Sequence, residues 1–336
     1  MSKLDDLMNA EIVDARQRMS EIPSTVGCFR IQGANQCIAQ ARLQPDPKPL
    51  FPQFPSLWFD GQLCCLFAAS NVGKSVLAVQ IAAEIAKSQP VAYIDLEMDA
   101  KQFQRRYTDP ITGESHKFAD AFYRLELDIE AIAGASSADV LLSGIENLVA
   151  DEGIGCKVVI LDNMVWLSGN AEKGDEAADL MLKLKVLQRK YGLSLLILTH
   201  SPKRLQASPI ILGDMAGSHK LSDTFDAVFC LGQSSRDPKI RYIKQLKQRS
   251  APREYESDNV ILCHLEKRDA MLQFAFDGFG DEAAHIKQLT QAESRRVARR
   301  LKEQGLSLSQ IGKELNVCKS TAHNLVKDIF NESDNE

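Results

Sequence analysis

The stretch FAASNVGKSVLAVQIAAEIAKSQPVAYIDLEMD, from Phe67 to Asp99, decides the fold. A short apolar run leads into a Gly-Lys-Ser turn, an apolar helical pattern follows, and a second apolar run ends among three carboxylates. Successive backbone N–H groups at such a turn, together with the start of a helix, form a binding site for an anion. The stretch therefore predicts a strand, turn, helix and strand that bind a phosphate group.

The composition of the chain is that of an ordinary globular protein. Of its 336 residues, 44% are hydrophobic and 25% are charged, which excludes disordered and fibrous classes. The length fits about two domains and an extension. No apolar run approaches the roughly 18–20 residues that span a bilayer, and the first residues, MSKLDDLMNAEIVDARQRM, lack a signal-peptide pattern. We therefore expect a cytoplasmic protein without a membrane partner.

Cysteine spacing and charge narrow the function classes further. The eight cysteines form no C-x-x-C pair, and most lie in apolar runs such as QLCCLFA, which favours buried, reduced thiols over a zinc site. The net charge of −5 does not by itself indicate nucleic-acid binding. Residues 236–253, however, carry seven Lys or Arg against the single Asp237. Such a local basic run fits either a solvated face or a contact with an anionic partner.

The pattern along the chain predicts three parts. Residues 1–56 form a helical extension, with helices around 3–20 and 33–42, and a proline-rich linker. Residues 57–282 alternate strands and helices, and residues 287–330 contain helices alone. Several strand runs are continuously apolar, as in strands that crossover helices bury on both faces. We predict an α/β fold with a doubly wound, mostly parallel sheet, in which the last three strands pair antiparallel, and a small all-α C-terminal domain.

The turn AASNVGKS, from Ala68 to Ser75, matches the P-loop pattern G-x-x-x-x-G-K-[ST] except at its first position. Gly73 allows the backbone to close around a phosphate, Lys74 supplies positive charge and little to the core, and the Ser75 hydroxyl is a Mg²⁺ ligand. The sequence therefore predicts that ATP and Mg²⁺ bind here. The residues expected around the phosphates are Ala69, Ser70, Asn71, Val72, Gly73, Lys74, Ser75 and Val76.

Carboxylates follow two later strands. Asp162 ends the apolar run KVVIL, where a carboxylate holds the water shell of Mg²⁺ beside Ser75, although a strand-end Asp also forms turns. Asp95, Glu97 and Asp99 alternate along the chain, so all three would share one face if the strand continues through them. A general base must lie near the γ-phosphate, at the carboxyl end of the strand next to the P-loop strand, and Glu97 is expected there.

Residues 57–270 resemble the RecA-like ATPase core, and within it the hexameric replicative helicases of the DnaB and RepA type. The resemblance rests on the order of the P-loop, the strand ending DLEMD, the strand ending in Asp162, the run LLILTH and the basic run IKQLKQRSAP. It implies that Glu97 is the catalytic base. It also implies that His200 senses the γ-phosphate, although a strand-end histidine is otherwise a surface or capping residue.

The same resemblance implies an oligomeric active unit. Lys247 and Arg249 would reach the γ-phosphate of a neighbouring subunit, where a cation stabilises developing charge. The alternative is a salt-bridged edge strand. A homo-oligomer, with a hexamer favoured, would contact single-stranded DNA at the ring centre through loops 168–176 and 202–220, which carry Lys203, Arg204 and Lys220.

The C-terminal segment RRVARRLKEQGLSLSQIGKELNVCKSTAHNLVKDIF resembles a helix-turn-helix of bacterial regulators and recombinases. A turn is expected at Gly305. The resemblance implies that duplex DNA is the partner of the second helix through Lys319, Ser320, Thr321, His323 and Asn324. Phosphates would contact Arg295, Arg296, Arg299 and Arg300. The alternative is a helical cap for protein contacts.

Two function classes follow from these patterns. The first is a ring-forming ATPase that acts on DNA, such as a plasmid-type helicase or a helicase loader. The second is an ATP-gated regulator that binds DNA through the helix-turn-helix and turns over little ATP. A working base at Glu97 favours the first class.

Overall fold

The computed structural model describes residues 25–127, 137–163, 174–202, 207–216, 219–315 and 317–327. The helix expected around 3–20, the loop positions 168–173, and Lys203 and Arg204 lie outside these residues. The chain divides into two compact units, and the boundary in the sequence falls between Pro47 and Lys48. None of the helices in the described ranges is long and apolar enough to cross a membrane.

The secondary structure follows the predicted alternation. Within the described ranges the strands are Thr25–Val26 (β1), Phe29–Arg30 (β2), Leu63–Ala68 (β3), Val91–Asp95 (β4), Phe122–Leu125 (β5), Val158–Asp162 (β6), Ser194–His200 (β7), Ala227–Gln233 (β8), Ile240–Gln248 (β9), Val260–Arg268 (β10) and Met271–Gly280 (β11). The helices are Ala34–Ala41 (α1), Lys74–Ile85 (α2), Ala100–Arg106 (α3), Ser137–Ala150 (α4), Gly174–Tyr191 (α5), His219–Thr224 (α6), Gln291–Glu303 (α7), Leu308–Glu314 (α8) and Lys319–Lys327 (α9).

The first unit is small. Its described part contains the hairpin of β1 and β2, in which Thr25 pairs with Arg30, and helix α1. Helix α1 contains no buried residue. The second unit begins at Lys48, earlier than the boundary expected at residue 57. The reason is that Phe51 and Phe54 are buried and pack on the aromatic rings of β11, so this proline-rich stretch belongs to the core.

One nine-stranded sheet, in the order β11-β10-β9-β8-β3-β7-β6-β4-β5, organises the second unit. The six strands from β8 to β5 are parallel, whereas β9, β10 and β11 pair antiparallel, as predicted. The predicted α/β fold with a doubly wound, mostly parallel sheet is therefore confirmed. Because the carboxyl ends of parallel strands lie at one edge, residues that follow β3, β4, β6 and β7 meet there.

Helices cover both faces of this sheet. Alternate residues of β3 enter different hydrophobic clusters: Cys64 and Leu66 pack with helix α2 on one face, and Cys65 and Phe67 pack with α4 and α5 on the other. The strand is therefore buried on both faces, which explains its continuous apolar sequence.

The edge strand β11 is held by helix α2. The Gln80 side chain donates from Nε2 to the Phe274 carbonyl at 3.0 Å and accepts the Phe274 N–H at 2.7 Å through Oε1. Both outward backbone groups of Phe274 are thus satisfied by a side chain rather than by another strand.

Three helices, α7, α8 and α9, form a separate hydrophobic cluster around Ile311 and Leu325, although they belong to the same compact unit as the sheet. Capping boxes start two of them, at Thr290 and Ser307. Gly305, with φ of 87°, forms the predicted turn between α7 and α8. The apolar spacing of the C-terminal segment therefore does bury one face of each helix.

We predict that Gly232→Ala lowers the free energy of unfolding by about 1–3 kcal/mol, because overpacking a buried site forces neighbours to move. A Cβ at Gly232 would lie 2.3 Å from the Tyr242 ring on β9. Gly144→Ala in α4 is the matched control: apart from its chain neighbours and its own helix backbone, no described atom lies within 4 Å of its Cβ position, so about 0.5–1 kcal/mol of stabilisation is expected. Urea unfolding measures both, and an unchanged midpoint for Gly232→Ala would contradict this packing.

Candidate nucleotide-binding site

The P-loop has the backbone shape of an anion cradle. It connects β3 to α2, and two of its residues adopt positive φ: Asn71 at 64° and Gly73 at 113°. Asparagine tolerates this left-handed region better than most residues, and glycine adopts it freely. A Cβ at Gly73 would lie 2.7 Å from Phe274 Cζ, so conformation and space both require glycine. The N–H groups at the start of α2 are therefore directed into the loop.

A buried ion pair lies at the base of the loop. Lys74 Nζ is 3.2 Å from Asp162 Oδ1, with side-chain exposures of 5% and 0%. Tyr93 on β4 donates from its hydroxyl to the other oxygen of Asp162 at 2.7 Å. Burial and the neighbouring Asp162 hold the pKa of Tyr93 well above its ordinary value, so the phenol stays protonated and donates. The expectation that Lys74 contributes little to the core is therefore wrong.

Glu97, Asn163 and His200 meet at the carboxyl edge of the sheet. Asn163 Nδ2 donates to Glu97 Oε1 and lies 2.8 Å from His200 Nε2. His200 Nε2 is 3.3 Å from the same Glu97 oxygen. Glu97 and His200 remain partly exposed, with side-chain exposures of 38% and 28%. The two polar residues expected at the γ-phosphate are therefore side by side, and Asn163 joins them.

The route by which Glu97 reaches this position differs from the prediction. Strand β4 is not next to the P-loop strand, because β7 and β6 lie between them. The strand ends at Asp95, and the chain then turns, so the three carboxylates do not share a face. Asp95 is buried beside Arg124, and Asp99 caps α3 by accepting the Gln102 N–H at 2.7 Å.

A cavity of about 510 Å³ joins the loop to these polar residues. Of the predicted phosphate-binding residues, Val72 alone does not line it; its side chain is buried, and its carbonyl accepts a hydrogen bond from Arg241 at 3.1 Å. Asp162, the predicted metal ligand, does not line the cavity either, because it is buried behind Lys74. The lining residues are Ala69, Ser70, Asn71, Gly73, Lys74, Ser75, Val76, Glu97, Arg106, His200, Leu265 and Leu272.

Sequence reasoning missed Arg106, Leu265 and Leu272. Arg106 ends α3, nine residues after Glu97, and it adds a second cation to the cavity wall. The two leucines come from the antiparallel strands β10 and β11 and make part of the wall apolar. The alternating pattern of the hairpin was a signal that these side chains share a face, but no local pattern brings that face to the P-loop.

The residues present fit a magnesium nucleotide. The P-loop provides backbone N–H groups and the Lys74 ammonium for phosphates, and Gly73 leaves room that a Cβ would fill. Ser75, at the start of α2, and Asp162 supply the oxygen donors that Mg²⁺ prefers. We therefore retain Ser75 and Asp162 as the residues that would hold the metal.

Lys247 and Arg249 lie at the end of the sheet where the parallel strands begin, opposite the end where the P-loop lies. In the antiparallel pair of β8 and β9, Lys247 is paired with Val228 near the amino end of β8, whereas the P-loop follows the carboxyl end of β3. Lys247 donates to the Ser222 carbonyl at 2.8 Å, and Arg249 is 3.2 Å from Asp226. Neither residue lines the cavity of its own chain. Strand β9 is also an interior strand, so the edge-strand alternative does not apply to it.

The DNA-contact candidates do not line the cavity. Lys220 belongs to α6, but its side chain lies outside the described ones. The five α9 candidates, Lys319, Ser320, Thr321, His323 and Asn324, are all exposed, whereas Ala322 between them is buried. Arg295, Arg296 and Arg300 on α7 are exposed, and Arg299 is partly buried.

The sheet order, the P-loop and Asp162 define a RecA-like P-loop ATPase domain. The model of the AAA domain family matches residues 37–206, half of the chain, and the chain belongs to this family. Among solved structures it is similar to the KaiC-like protein PH0186 from the hyperthermophilic archaeon Pyrococcus horikoshii OT3. The identity is 15% and the TM-score 0.49, over 69% of this chain and 99% of that chain. No curated protein matches the sequence.

We predict that Lys74→Ala loses ATP binding and also lowers the free energy of unfolding by about 3–5 kcal/mol, because Asp162 stays buried without its cation. The double variant Lys74→Ala/Asp162→Asn removes that unpaired charge, so it should regain most of the stability without regaining ATP binding. Urea unfolding and calorimetric titration with Mg–ATP measure the two effects. Unchanged ATP affinity in Lys74→Ala would contradict the P-loop assignment.

Proposed function

We propose that this chain hydrolyses ATP beside its P-loop and acts on DNA as a ring-forming ATPase of the replicative-helicase type. The observation that carries the proposal is that Glu97 and His200 meet in the cavity that the P-loop lines, where the buried Asn163 contacts both of them. A P-loop that only binds nucleotide needs no carboxylate there, whereas hydrolysis needs a base near the attacking water.

Each residue around the cavity has a separate part in the proposed reaction. Glu97 takes the proton of the attacking water, and Asn163 holds its carboxylate through the Nδ2 hydrogen bond. Lys74 exchanges its contact with Asp162 for the β- and γ-phosphates. Mg²⁺, when bound by Ser75 and Asp162, would neutralise developing charge. His200 contacts Glu97 and senses whether the γ-phosphate is present.

The remaining cations support a site shared between copies. Lys247 and Arg249 lie at the end of the sheet opposite the P-loop, so they serve a neighbouring chain's nucleotide rather than their own. Asp226 and the Ser222 and Asp223 carbonyls at the end of α6 hold them in position. In this proposal Arg249 is the trans-acting cation, because its planar fork binds phosphate oxygens in pairs. The assembly is a closed ring, with six copies favoured.

DNA contact is assigned to two regions. The exposed polar residues of α9 face duplex DNA, and the α7 arginines contact phosphates, which the separate hydrophobic core of α7 to α9 supports. The loop residues Lys203, Arg204 and Lys220 contact single-stranded DNA at the ring centre. A second candidate, an ATP-gated DNA-binding regulator with little turnover, is favoured by that same separate core. Glu97 in the cavity argues for the first.

We predict that Glu97→Gln binds Mg–ATP as the wild type does but loses turnover by about two to four orders of magnitude, the usual contribution of a positioned base. Phosphate release, measured with and without single-stranded DNA, together with the mass of the ATP-bound assembly, tests the whole proposal. Stimulation by DNA and a ring mass are expected for the wild type.

Asp99→Asn is the control for that experiment, since Asp99 caps α3 and does not line the cavity. Its turnover should stay within about twofold of the wild type. Loss of turnover in Asp99→Asn but not in Glu97→Gln would mean that the wrong carboxylate was assigned. A wild-type chain that binds ATP and DNA with negligible turnover would support the regulator instead.

We also predict that the full-length triple variant Arg295→Gln/Arg296→Gln/Arg300→Gln binds duplex DNA more weakly and with a flatter salt dependence. Each lost phosphate contact removes about 0.9 from the slope of log affinity against log salt. The matched control removes three exposed cations elsewhere, Lys87, Lys101 and Lys239. Fluorescence anisotropy at several salt concentrations measures both slopes. Equal slopes in the two variants would make the helices a protein-contact cap.

A further inference from the structure

The turn that presents Glu97 is short and is held by one carboxylate. After β4 ends at Asp95, three residues precede Asp99, the N-cap of α3. Asp95 Oδ1 accepts the N–H of Glu97 at 3.2 Å and of Met98 at 2.9 Å. The backbone of Glu97 and of the residue after it is therefore bound to a single buried oxygen.

Arg124, on the neighbouring strand β5, holds the same turn from the other side. Its Nε donates to Asp95 Oδ2 at 3.0 Å, and its second terminal nitrogen donates to the Met98 carbonyl at 2.6 Å. The guanidinium also lies 4.8 Å from the centre of the Phe103 ring in α3. The planar guanidinium of Arg124 thus contacts the Asp95 carboxylate, the Met98 carbonyl and a side chain in the middle of the following helix.

We infer that Asp95 and Arg124 are positioning residues for the general base, fixing the backbone turn that aims Glu97 into the nucleotide cavity. The inference rests on the proposed role of Glu97. Neither Asp95 nor Arg124 lines the cavity, so both act through Glu97 rather than on the nucleotide.

The energetics of the pair favour a geometric role over a stabilising one. Burial raises the pKa of Asp95 even though Arg124 and two backbone N–H groups oppose that shift. A buried pair of this kind returns little net stability, because desolvation offsets its attraction. The pair matters for catalysis because it fixes the position of Glu97. A displacement of about 1 Å at a reacting group costs about 100-fold in rate.

Arg124 has a second carboxylate partner, which provides a matched control. Its other terminal nitrogen donates to Glu126, whose side chain is 48% exposed, whereas that of Asp95 is fully buried. Glu126→Gln therefore removes an ion pair of the same arginine and leaves the hydrogen bonds of the turn intact. Its turnover should stay within about twofold of the wild type.

The test measures kcat and ATP affinity of the full-length chain with Mg–ATP. Asp95→Asn and Arg124→Gln should each lower kcat by about 10- to 100-fold, while ATP affinity changes by less than about threefold. Arg124→Lys keeps the charge but loses the fork, so an intermediate loss is expected, and this variant also replaces Arg124→Gln if that chain does not fold. Wild-type kcat in Asp95→Asn and Arg124→Lys would overturn the inference.

A double-mutant cycle separates positioning from general damage. In a Glu97→Gln chain, where the base is already absent, Arg124→Gln should cause no further loss of single-turnover hydrolysis. A further loss as large as that in the wild-type background would overturn the inference, because Arg124 would then act independently of Glu97. If Glu97→Gln itself hydrolyses ATP normally, the proposed base is wrong. Loss in Glu97→Gln with normal rates in the Asp95 and Arg124 variants overturns the positioning role alone.

Discussion

The contact between Lys74 and Asp162 joins the P-loop to the parallel sheet, and the rest of the site depends on it. The ammonium and the carboxylate are both buried, so neither group tolerates the loss of the other without a substitute. In the proposed function a bound magnesium nucleotide would offer each of them that substitute: phosphate oxygens for Lys74, and the metal for Asp162. Because both charges are buried, each is stable only beside an opposite charge. Lys74 is therefore ready to bind an anionic phosphate, and Asp162 is ready to bind a cation.

Parallel strand pairing brings the remaining polar residues to this place. Strands β4, β6 and β7 end at the same edge, so Glu97, Asn163 and His200 converge although they are far apart in sequence. Each is then restrained by hydrogen bonds within the group. The sheet brings the three residues to one edge, and the hydrogen bonds set the direction of their side chains.

The sequence predicted the parts whose signals are local. Continuous apolar runs located the parallel strands, and the Gly-Lys-Ser turn located the P-loop. Of the three carboxylates considered, Glu97 lines the cavity although its strand is not the neighbour of β3, and its role as the base stays a prediction. Arg106, Leu265 and Leu272 could not be predicted, because contacts between distant elements bring them to the cavity. The core position of Phe51 was hidden for a similar reason: prolines around it suggested a linker.

Gln80 protects the edge strand β11 from pairing with another chain. An edge strand normally exposes backbone N–H and C=O groups on which another chain can pair. The Gln80 amide occupies both such groups of Phe274 near the middle of β11, and the Phe274 ring lies against Gly73. The Gln80 side chain thus takes the place that a neighbouring strand would occupy at Phe274. It therefore hinders the addition of another β-strand here and the aggregation that begins with such pairing.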